Sequence, residues 1–256
     1  MKALIYRKFG SPDVLQWVDD WPKPAHRRDQ VLVRVAAGSV NPKDVLLRKG
    51  KFSKTLAREP LPRVTGLDIA GEVIATGSGV GEYSNGDRVF GMTNRFCGGT
   101  HAEFAVLRPD EIFHAPATLS AEEAAATPLA AMTALQALRD CCSLNPGMTV
   151  LINGASGGVG HFAVQIAKII GAKVYAVCGR DNMKFAESLG ADRVYCYTDQ
   201  PAGSIDFQFD AVFDVFGNYR RKHLSRQLGH RGIYISTVPG RTTMAGEFLA
   251  RTRLSG

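Results

Sequence analysis

The feature that most constrains this chain is a glycine-rich turn between two apolar segments. Val150-Leu151-Ile152 leads into Gly154-Ala155-Ser156-Gly157-Gly158-Val159-Gly160, and the residues from Phe162 to Ala167 have the apolar character of a buried helix. Glycines let the backbone turn sharply and approach a pyrophosphate closely, while the first helical turn offers unpaired N–H groups. A strand, a glycine turn and a helix in this order predict a dinucleotide site in a Rossmann-type domain. The alternative is an ordinary glycine-rich connection.

Strands and helices alternate after residue 149, which predicts a parallel sheet. The predicted elements are strands Thr149–Asn153, Lys173–Cys178, Arg193–Cys196, Asp210–Val215 and Gly232–Ser236, with helices Gly158–Ile170 and Met183–Leu189. The first half instead has short apolar runs separated by Gly, Pro and Asp, as in β-rich domains. Ser120-Ala121-Glu122-Glu123 resembles a capping box, and Pro128 separates its helix from a second helical run, Ala130–Cys141. We therefore expect an α/β protein with domains at 1–120 and 121–256.

The end of the second strand of this sheet decides which dinucleotide is bound. An acidic residue there holds the 2′-hydroxyl of NAD, whereas a basic residue accommodates a 2′-phosphate. Here Cys178 and Gly179 occupy the place of the acid, and Arg180 follows them with a guanidinium suited to phosphate. NADPH is therefore the favoured cofactor. Asp181 leaves NADH open, because an acid one residue later could reach the ribose if the loop turned differently.

Composition excludes several other classes of protein. No apolar run reaches the ~18 residues that a membrane span needs, and the five cysteines form no C-x-x-C pair for a structural zinc. The net charge of +7 is compatible with an anionic partner, but the basic residues are scattered and form no RNA-binding motif. We expect a cytoplasmic protein that does not bind nucleic acid.

Four further motifs occur in a fixed order along the chain. They are Asn41-Pro42-Lys43-Asp44, Gly66-Leu67-Asp68-Ile69-Ala70-Gly71-Glu72-Val73, Gly98-Gly99-Thr100-His101-Ala102-Glu103-Phe104 and Met132-Thr133-Ala134. Together with the glycine turn they resemble the zinc-free quinone oxidoreductase branch of the medium-chain dehydrogenase/reductase superfamily, over nearly the whole chain. The resemblance implies a GroES-like twisted β-barrel catalytic domain, then a doubly wound Rossmann sheet, with the nicotinamide in the cleft between them.

The resemblance also implies roles for individual residues. Asn41, the candidate catalytic residue, would lie with Thr133 near the nicotinamide and its ribose. The glycine turn would hold the pyrophosphate, and the ends of later strands would border the 2′-phosphate and the rest of the cofactor. These remaining contacts are Ser156, Gly157, Gly158, Val159, Cys178, Arg180, Tyr197, Phe216, Thr237 and Val238. Structural alternatives are a turn role for Asn41, a surface role for Arg180, a strand-end role for Tyr197 and a core position for Phe216.

The zinc-dependent relatives in this superfamily carry Cys where Asn41 stands and G-H-E at Gly66-Leu67-Asp68, so no metal is expected here. Without a Lewis acid, hydride delivery to an electron-poor acceptor is favoured over alcohol oxidation. Leu46, Leu47 and Phe52 stand where some relatives offer tyrosines, which predicts a hydrophobic acceptor. The predicted activity is NADPH-dependent reduction of a quinone or an α,β-unsaturated carbonyl. The alternative is a non-enzymatic NADPH-binding sensor or scaffold.

The length departs from the resembled family. Its members continue past the strand at Gly232–Ser236 with a sixth Rossmann strand, whereas this sequence ends at Gly256. We therefore expect a fragment or a truncated variant. Since the missing edge strand is often where two subunits of the family pair, a homodimer is possible but not favoured.

Overall fold

A computed structural model describes residues 1–53, 57 and 59–238 of the chain. The chain forms two compact units, of which the first is Met1–Leu129 and the second begins at Ala130. The boundary thus lies beyond the predicted position at 120/121, because the helix at Ala121–Ala125 buries Ala124 and Ala125 against Ala70 of the first unit. No helix in the described ranges is long and apolar enough to cross a membrane.

The first unit is built mainly of antiparallel strands. Its elements are β1 (Ala3–Tyr6), β2 (Leu15–Val18), β3 (Val31–Ala37), α1 (Pro42–Arg48), β4 (Arg63–Val64), β5 (Asp68–Thr76), β6 (Arg88–Met92), β7 (Phe104–Leu107), β8 (Ile112–His114) and α2 (Ala121–Ala125). One sheet has the order β2-β1-β4 and the other β7-β3-β5-β6-β8. Val31 and Val33 of β3 share a core with Ile69 and Val73 of β5. Alternate residues of an antiparallel strand face one side, so this core lies on one face of the larger sheet.

The second unit is a Rossmann-type sheet with helices. Its elements are α3 (Pro128–Leu135), which begins at the unit boundary and continues as a π-helical segment (Gln136–Cys141), then β9 (Thr149–Asn153), α4 (Gly158–Ile170), β10 (Lys173–Cys178), α5 (Met183–Ser188), β11 (Arg193–Cys196), β12 (Phe209–Asp214) and β13 (Leu228–Ser236). All five strands are parallel and have the order β11-β10-β9-β12-β13. The predicted fold class is confirmed.

Both faces of this sheet are covered. Ala163, Val164 and Ala167 of α4 pack with Ile152 and Val174 on one face. A second core, formed by Leu151, Val177, Ile205, Phe209, Val212 and Leu224, covers the other. The strand order reverses at β9, and open parallel sheets bind ligands at the carboxyl ends of the strands beside such a reversal.

Some local structure differs from the sequence predictions. Asn41 immediately precedes a helix, α1, whose first three residues are Pro42 to Asp44. The motif alone did not predict this helix. The two predicted helices are separate, but the second begins at Pro128 rather than at Ala130, since proline needs no N–H partner at a first helical position. Thr133 lies within α3, as predicted for the second helical run, and is half-buried.

Candidate functional site

The glycine turn leaves open space at the start of α4. Gly154 has φ +86°, and its N–H donates to Val177 O at 2.9 Å, which places the turn above the end of β10. Gly158 is the first residue of α4, and a Cβ built on it would have no neighbour within 4 Å. The first N–H groups of a helix lack intrahelical partners and lie at the positive end of its dipole. An anion can therefore approach the backbone here.

Gly160 serves a different purpose in the same turn. A Cβ on this residue would lie 2.0 Å from Gly154 O and 2.8 Å from Ala155 Cα. These contacts are with backbone, which cannot move aside. Gly160 thus allows α4 to begin directly against the turn, as the third glycine of a dinucleotide fingerprint does.

The ends of β10 and β11 bring together three of the predicted residues. Cys178 pairs with Cys196 across the two strands, and Tyr197 N–H donates to Cys178 O at 3.1 Å. A Cβ on Gly179 would lie 3.5 Å from Cε1 of Tyr197, whose ring is exposed. Burial raises the pKa of the Cys178 thiol, and its side chain belongs to the core, so only its backbone faces the loop.

Arg180 is already engaged by an acid that sequence reasoning did not single out. Its Nη2 donates to Oδ1 and Oδ2 of Asp199 at 2.6 and 2.7 Å. Thr198 Oγ1 also donates to Asp199 Oδ1, at 3.1 Å. Asp199 follows β11, the third strand of this unit, whereas the prediction of the cofactor considered only the end of the second strand, β10. Its position just after a strand was the sequence signal that could have identified it.

Asp214 organises the end of β12. Its buried carboxylate accepts from Asn153 Nδ2 at 2.7 Å, Gly217 N–H at 2.9 Å, Tyr219 N–H at 3.0 Å and Tyr234 Oη at 3.1 Å. Burial raises the pKa of Tyr234 to about 12, so its hydroxyl remains a donor across the neutral range. The network fixes the turn that follows β12. Sequence reasoning missed it because its members lie far apart along the chain.

The predicted residues after β12 and β13 surround this turn. Phe216 is 72% exposed, so its alternative as a core residue is wrong. Its backbone N would lie 3.3 Å from a Cβ on Gly154, beside the glycine turn. Thr237 Oγ1 donates to Val215 O at 2.7 Å, and Val238 packs against Gly217. Phe216, Thr237 and Val238 therefore gather at the carboxyl edge of the sheet.

A buried polar cluster lies in the first unit. We define the Asn41 cluster as Ser39, Asn41, Asp44, Asp68 and His101. Asn41 Nδ2 donates to Asp68 Oδ2 at 2.8 Å and to Ser39 Oγ at 3.2 Å, while Ser39 Oγ donates to Asp68. Leu129 N–H donates to the other carboxylate oxygen of Asp68 at 3.0 Å. Both Asn41 and Asp68 are buried, so these bonds fix the orientation of the Asn41 carboxamide.

The other members of the cluster, Asp44 and His101, bind the backbone of Asn41 and of Ser39. Asp44 Oδ2 accepts the Asn41 backbone N–H at 2.8 Å. His101 bridges Ser39 O and Thr65 Oγ1, each at 2.9 Å. Burial raises the pKa of both Asp44 and Asp68, and hydrogen bonds to each carboxylate oppose that rise.

Apolar residues follow Asn41 in α1 and just after it. Leu47 is buried with Ala57 and Cys97, and Phe52 packs edge-on against Phe96 with ring centroids 5.7 Å apart. Of the positions that lack tyrosines, Leu47 thus lies inside a small hydrophobic cluster of this unit, Phe52 packs against that cluster, and Leu46 is exposed.

Comparisons with known proteins agree with this architecture. Residues 27–117 match the alcohol dehydrogenase GroES-like domain, and residues 158–236 match a model described as zinc-binding dehydrogenase. The chain is 35% identical over 253 residues to a chloroplast envelope quinone oxidoreductase homolog from Arabidopsis thaliana, covering 95% of this chain and 77% of that one. The chain belongs to the quinone oxidoreductase-like proteins of the medium-chain dehydrogenase/reductase superfamily.

Two further relatives extend this assignment. The structure of the quinone oxidoreductase from Coxiella burnetii superposes with a TM-score of 0.87 at 35% identity, covering 99% of this chain and 80% of that one. An NADPH-dependent alkenal/one oxidoreductase, chloroplastic, from Arabidopsis thaliana is 34% identical over 225 residues, which are 85% of this chain and 58% of that one. This quinone oxidoreductase-like chain therefore spans just over half of the length of the alkenal/one oxidoreductase.

The second family description raises the question of zinc. In this quinone oxidoreductase-like chain, no group of three or more His, Cys, Asp or Glu side chains in the described ranges could hold a metal ion. Leu67 is fully buried at the position that the resemblance gives to a histidine ligand, and Asn41 stands at that of a cysteine. Neither side chain suits zinc, which prefers thiolate, imidazole and carboxylate ligands.

Proposed function

We propose that this protein is an NADPH-dependent oxidoreductase that reduces quinones or α,β-unsaturated carbonyl compounds without a metal. The observation that carries the proposal is the open glycine turn at the reversal of the strand order, with Arg180 and Tyr197 at the ends of the two adjacent strands. The quinone and enone reductase names of the relatives support the same reaction class.

In this proposal the backbone around Ser156 to Val159 binds the pyrophosphate, because the helix terminus offers N–H donors and space. Arg180 and Tyr197 border the 2′-phosphate and the adenine end, beside the Cys178 backbone. Phe216, Thr237 and Val238 line the cofactor at the sheet edge, and Thr133 lies near its ribose. When bound, NADPH supplies a hydride.

Asn41 is proposed to contact the nicotinamide. Its Nδ2 group donates to Ser39 and Asp68, so the carboxamide is held in one orientation. A group held this way needs no reorganisation when the reactants arrive. Asn41 is therefore a positioning contact for hydride transfer rather than a proton donor.

The acceptor is proposed to be apolar and electron-poor. Quinones and enones accept hydride without a Lewis acid, and the exposed Leu46 and the partly buried Phe52 offer apolar side chains in the first unit. We further propose a cytoplasmic location, although relatives carry chloroplastic and mitochondrial names.

The first experiment is a fluorescence titration of the purified chain with NADPH and NADH, followed by turnover with benzoquinone and with a simple enone. We expect NADPH to bind more tightly than NADH and to be oxidised by at least one acceptor. Binding without oxidation would favour the sensor or scaffold alternative, and failure to bind either nucleotide would overturn the proposal.

A further inference from the structure

The 2′-phosphate site of the proposed function contains an acid as well as a base. Arg180 and Asp199 face each other across the loops that follow β10 and β11. Only Nη2 of the guanidinium contacts the carboxylate, and both of its contacts are short, at 2.6 and 2.7 Å. A phosphate bound by Arg180 and the Asp199 carboxylate would therefore have to share one cation.

Two effects of Asp199 on a bound phosphate oppose each other. It orients Arg180, which helps binding, and it places a negative charge within a few ångströms of the phosphate, which hinders binding. Exposed ion pairs such as this one, with both side chains more than half exposed, contribute little to holding a side chain in place. A dianionic phosphate beside a carboxylate is repelled more strongly, since the Coulomb energy scales with the product of charges. Repulsion should therefore outweigh orientation.

The same carboxylate suits a cofactor without the phosphate. In Rossmann domains an acid at the end of the second strand accepts a hydrogen bond from the ribose 2′-hydroxyl of NADH. Asp199 follows the third strand, but its hydrogen bonds with Arg180 bring its carboxylate to the loop after the second strand. Asp181, the acid that the sequence offered for this role, is also exposed and follows Arg180 directly.

We propose that Asp199 limits the selection of NADPH over NADH, by competing with the 2′-phosphate for Arg180 and by offering an acceptor to a free ribose hydroxyl. The inference rests on the proposed function, since it assumes that Arg180 lies at the 2′-phosphate. It predicts that this protein accepts NADH to a greater degree than its arginine alone would allow.

The test compares dissociation constants of NADPH and NADH for the wild type, Asp199→Asn, Asp181→Asn and Arg180→Ala. Asp140→Asn serves as the matched control, because Asp140 forms an exposed ion pair with Arg139 in the same unit and its loss changes the net charge equally. We expect Asp199→Asn to raise the preference for NADPH over NADH by about 3- to 10-fold, as expected for one screened charge near the phosphate. Asp181→Asn and Asp140→Asn should change that preference by less than about 2-fold.

The outcomes separate the inference from the proposed function. If Arg180→Ala does not lower the preference for NADPH, the 2′-phosphate is elsewhere and the proposed site is wrong. If Arg180→Ala lowers the preference but Asp199→Asn leaves it unchanged or lowers it, only the inference is overturned. A rise with Asp181→Asn in place of Asp199→Asn would also overturn it, because the limiting acid would then be Asp181.

Discussion

The two candidate regions of this protein are built in opposite ways. The glycine turn of the second unit presents backbone N–H groups, and its residues are neighbours along the chain from Gly154 to Gly160. The Asn41 cluster of the first unit presents side chains, and its hydrogen bonds join residues separated by 27 positions, as in Asn41 to Asp68, or by 62, as in Ser39 to His101. The first region tolerates few added atoms, whereas the second tolerates few changes of polarity.

This difference tells which substitutions each region should resist. A backbone site fails when a Cβ fills the space that glycine leaves open, whatever the chemistry of the new side chain. A buried side-chain site fails when a donor or acceptor loses its partner, even if the volume is kept. The following predictions use that contrast, from the largest expected effect to the smallest.

Gly160→Ala should weaken NADPH binding by more than about 100-fold and lower the free energy of unfolding by about 3 kcal/mol, because its Cβ would meet the Gly154 carbonyl. Fluorescence titration and urea denaturation measure the two effects. Gly158→Ala is the matched variant, since nothing lies within 4 Å of its Cβ. It should reduce binding while leaving the denaturation midpoint nearly unchanged. Equal loss of stability in both variants would show that the two glycines do not have distinct roles.

Asp214→Ala should destabilise the second unit by about 3 kcal/mol, because the buried Nδ2 of Asn153 and three partly buried donors would lose their shared acceptor. Chemical denaturation monitored by circular dichroism measures the change, because both tryptophans of the chain, Trp17 and Trp21, lie in the first unit. Asp210→Ala, on the same strand, is the control: its carboxylate is exposed and accepts from Thr149 N–H and Oγ1. That variant should cost less than about 1 kcal/mol. A mild effect at Asp214 would mean that waters replace the carboxylate.

Asn41→Ala should lower kcat/KM for quinone reduction by about 10-fold, which corresponds to one positioned contact at the reacting groups. The Kd of NADPH should change far less. Asn41→Asp separates size from polarity, since it keeps the volume but places a carboxylate against Asp68. We expect it to be at least as impaired as Asn41→Ala. Unchanged quinone reduction by Asn41→Ala would remove Asn41 from the proposed site.

The smallest expected effect is the pH dependence of the change in stability caused by Asp68→Asn, and its direction follows from the pKa of Asp68. Burial raises the folded-state pKa of Asp68 above its ordinary 3.8, so the folded protein binds the proton more tightly than the unfolded chain does. The contribution of Asp68 to stability is therefore greatest below pH 3.8 and declines as pH rises through the raised pKa. Asparagine does not titrate, so the stability advantage of the wild type over the variant should shrink over that interval. Denaturation at several pH values checks this. An advantage that grows with pH would contradict the assigned direction.

The parts of the fold that the sequence predicted well are those set by local patterns. β9, β10, β11 and α4 have the predicted bounds, because buried parallel strands and a capped apolar helix leave clear signals in neighbouring residues. The short strands β2, β4 and β8 were not predicted. They are two to four residues long and depend on partners distant in the chain, which a local pattern does not report.

The residues of the candidate site show the same contrast between features that local sequence patterns predict and features that depend on distant partners. Arg180 was named from its place after a predicted strand and Phe216 from the family resemblance, and the structure puts both at the carboxyl edge of the sheet. Asp199 and Asp214 were not named, because their importance comes from the partners that they meet in the fold. The expectation that a homodimer is not favoured stays a prediction.

The sequence by itself determined the glycine turn, the alternation of strands and helices in the second unit and the type of domain, since helix period, strand period and glycine placement act between near neighbours. Only the tertiary structure decided how Asn41 is oriented, which acid meets Arg180 and which carboxylate holds the turn after β12. The physical reason is that a hydrogen bond or ion pair depends on position within a few tenths of an ångström. Residues tens of positions apart reach such positions only when the whole sheet has formed.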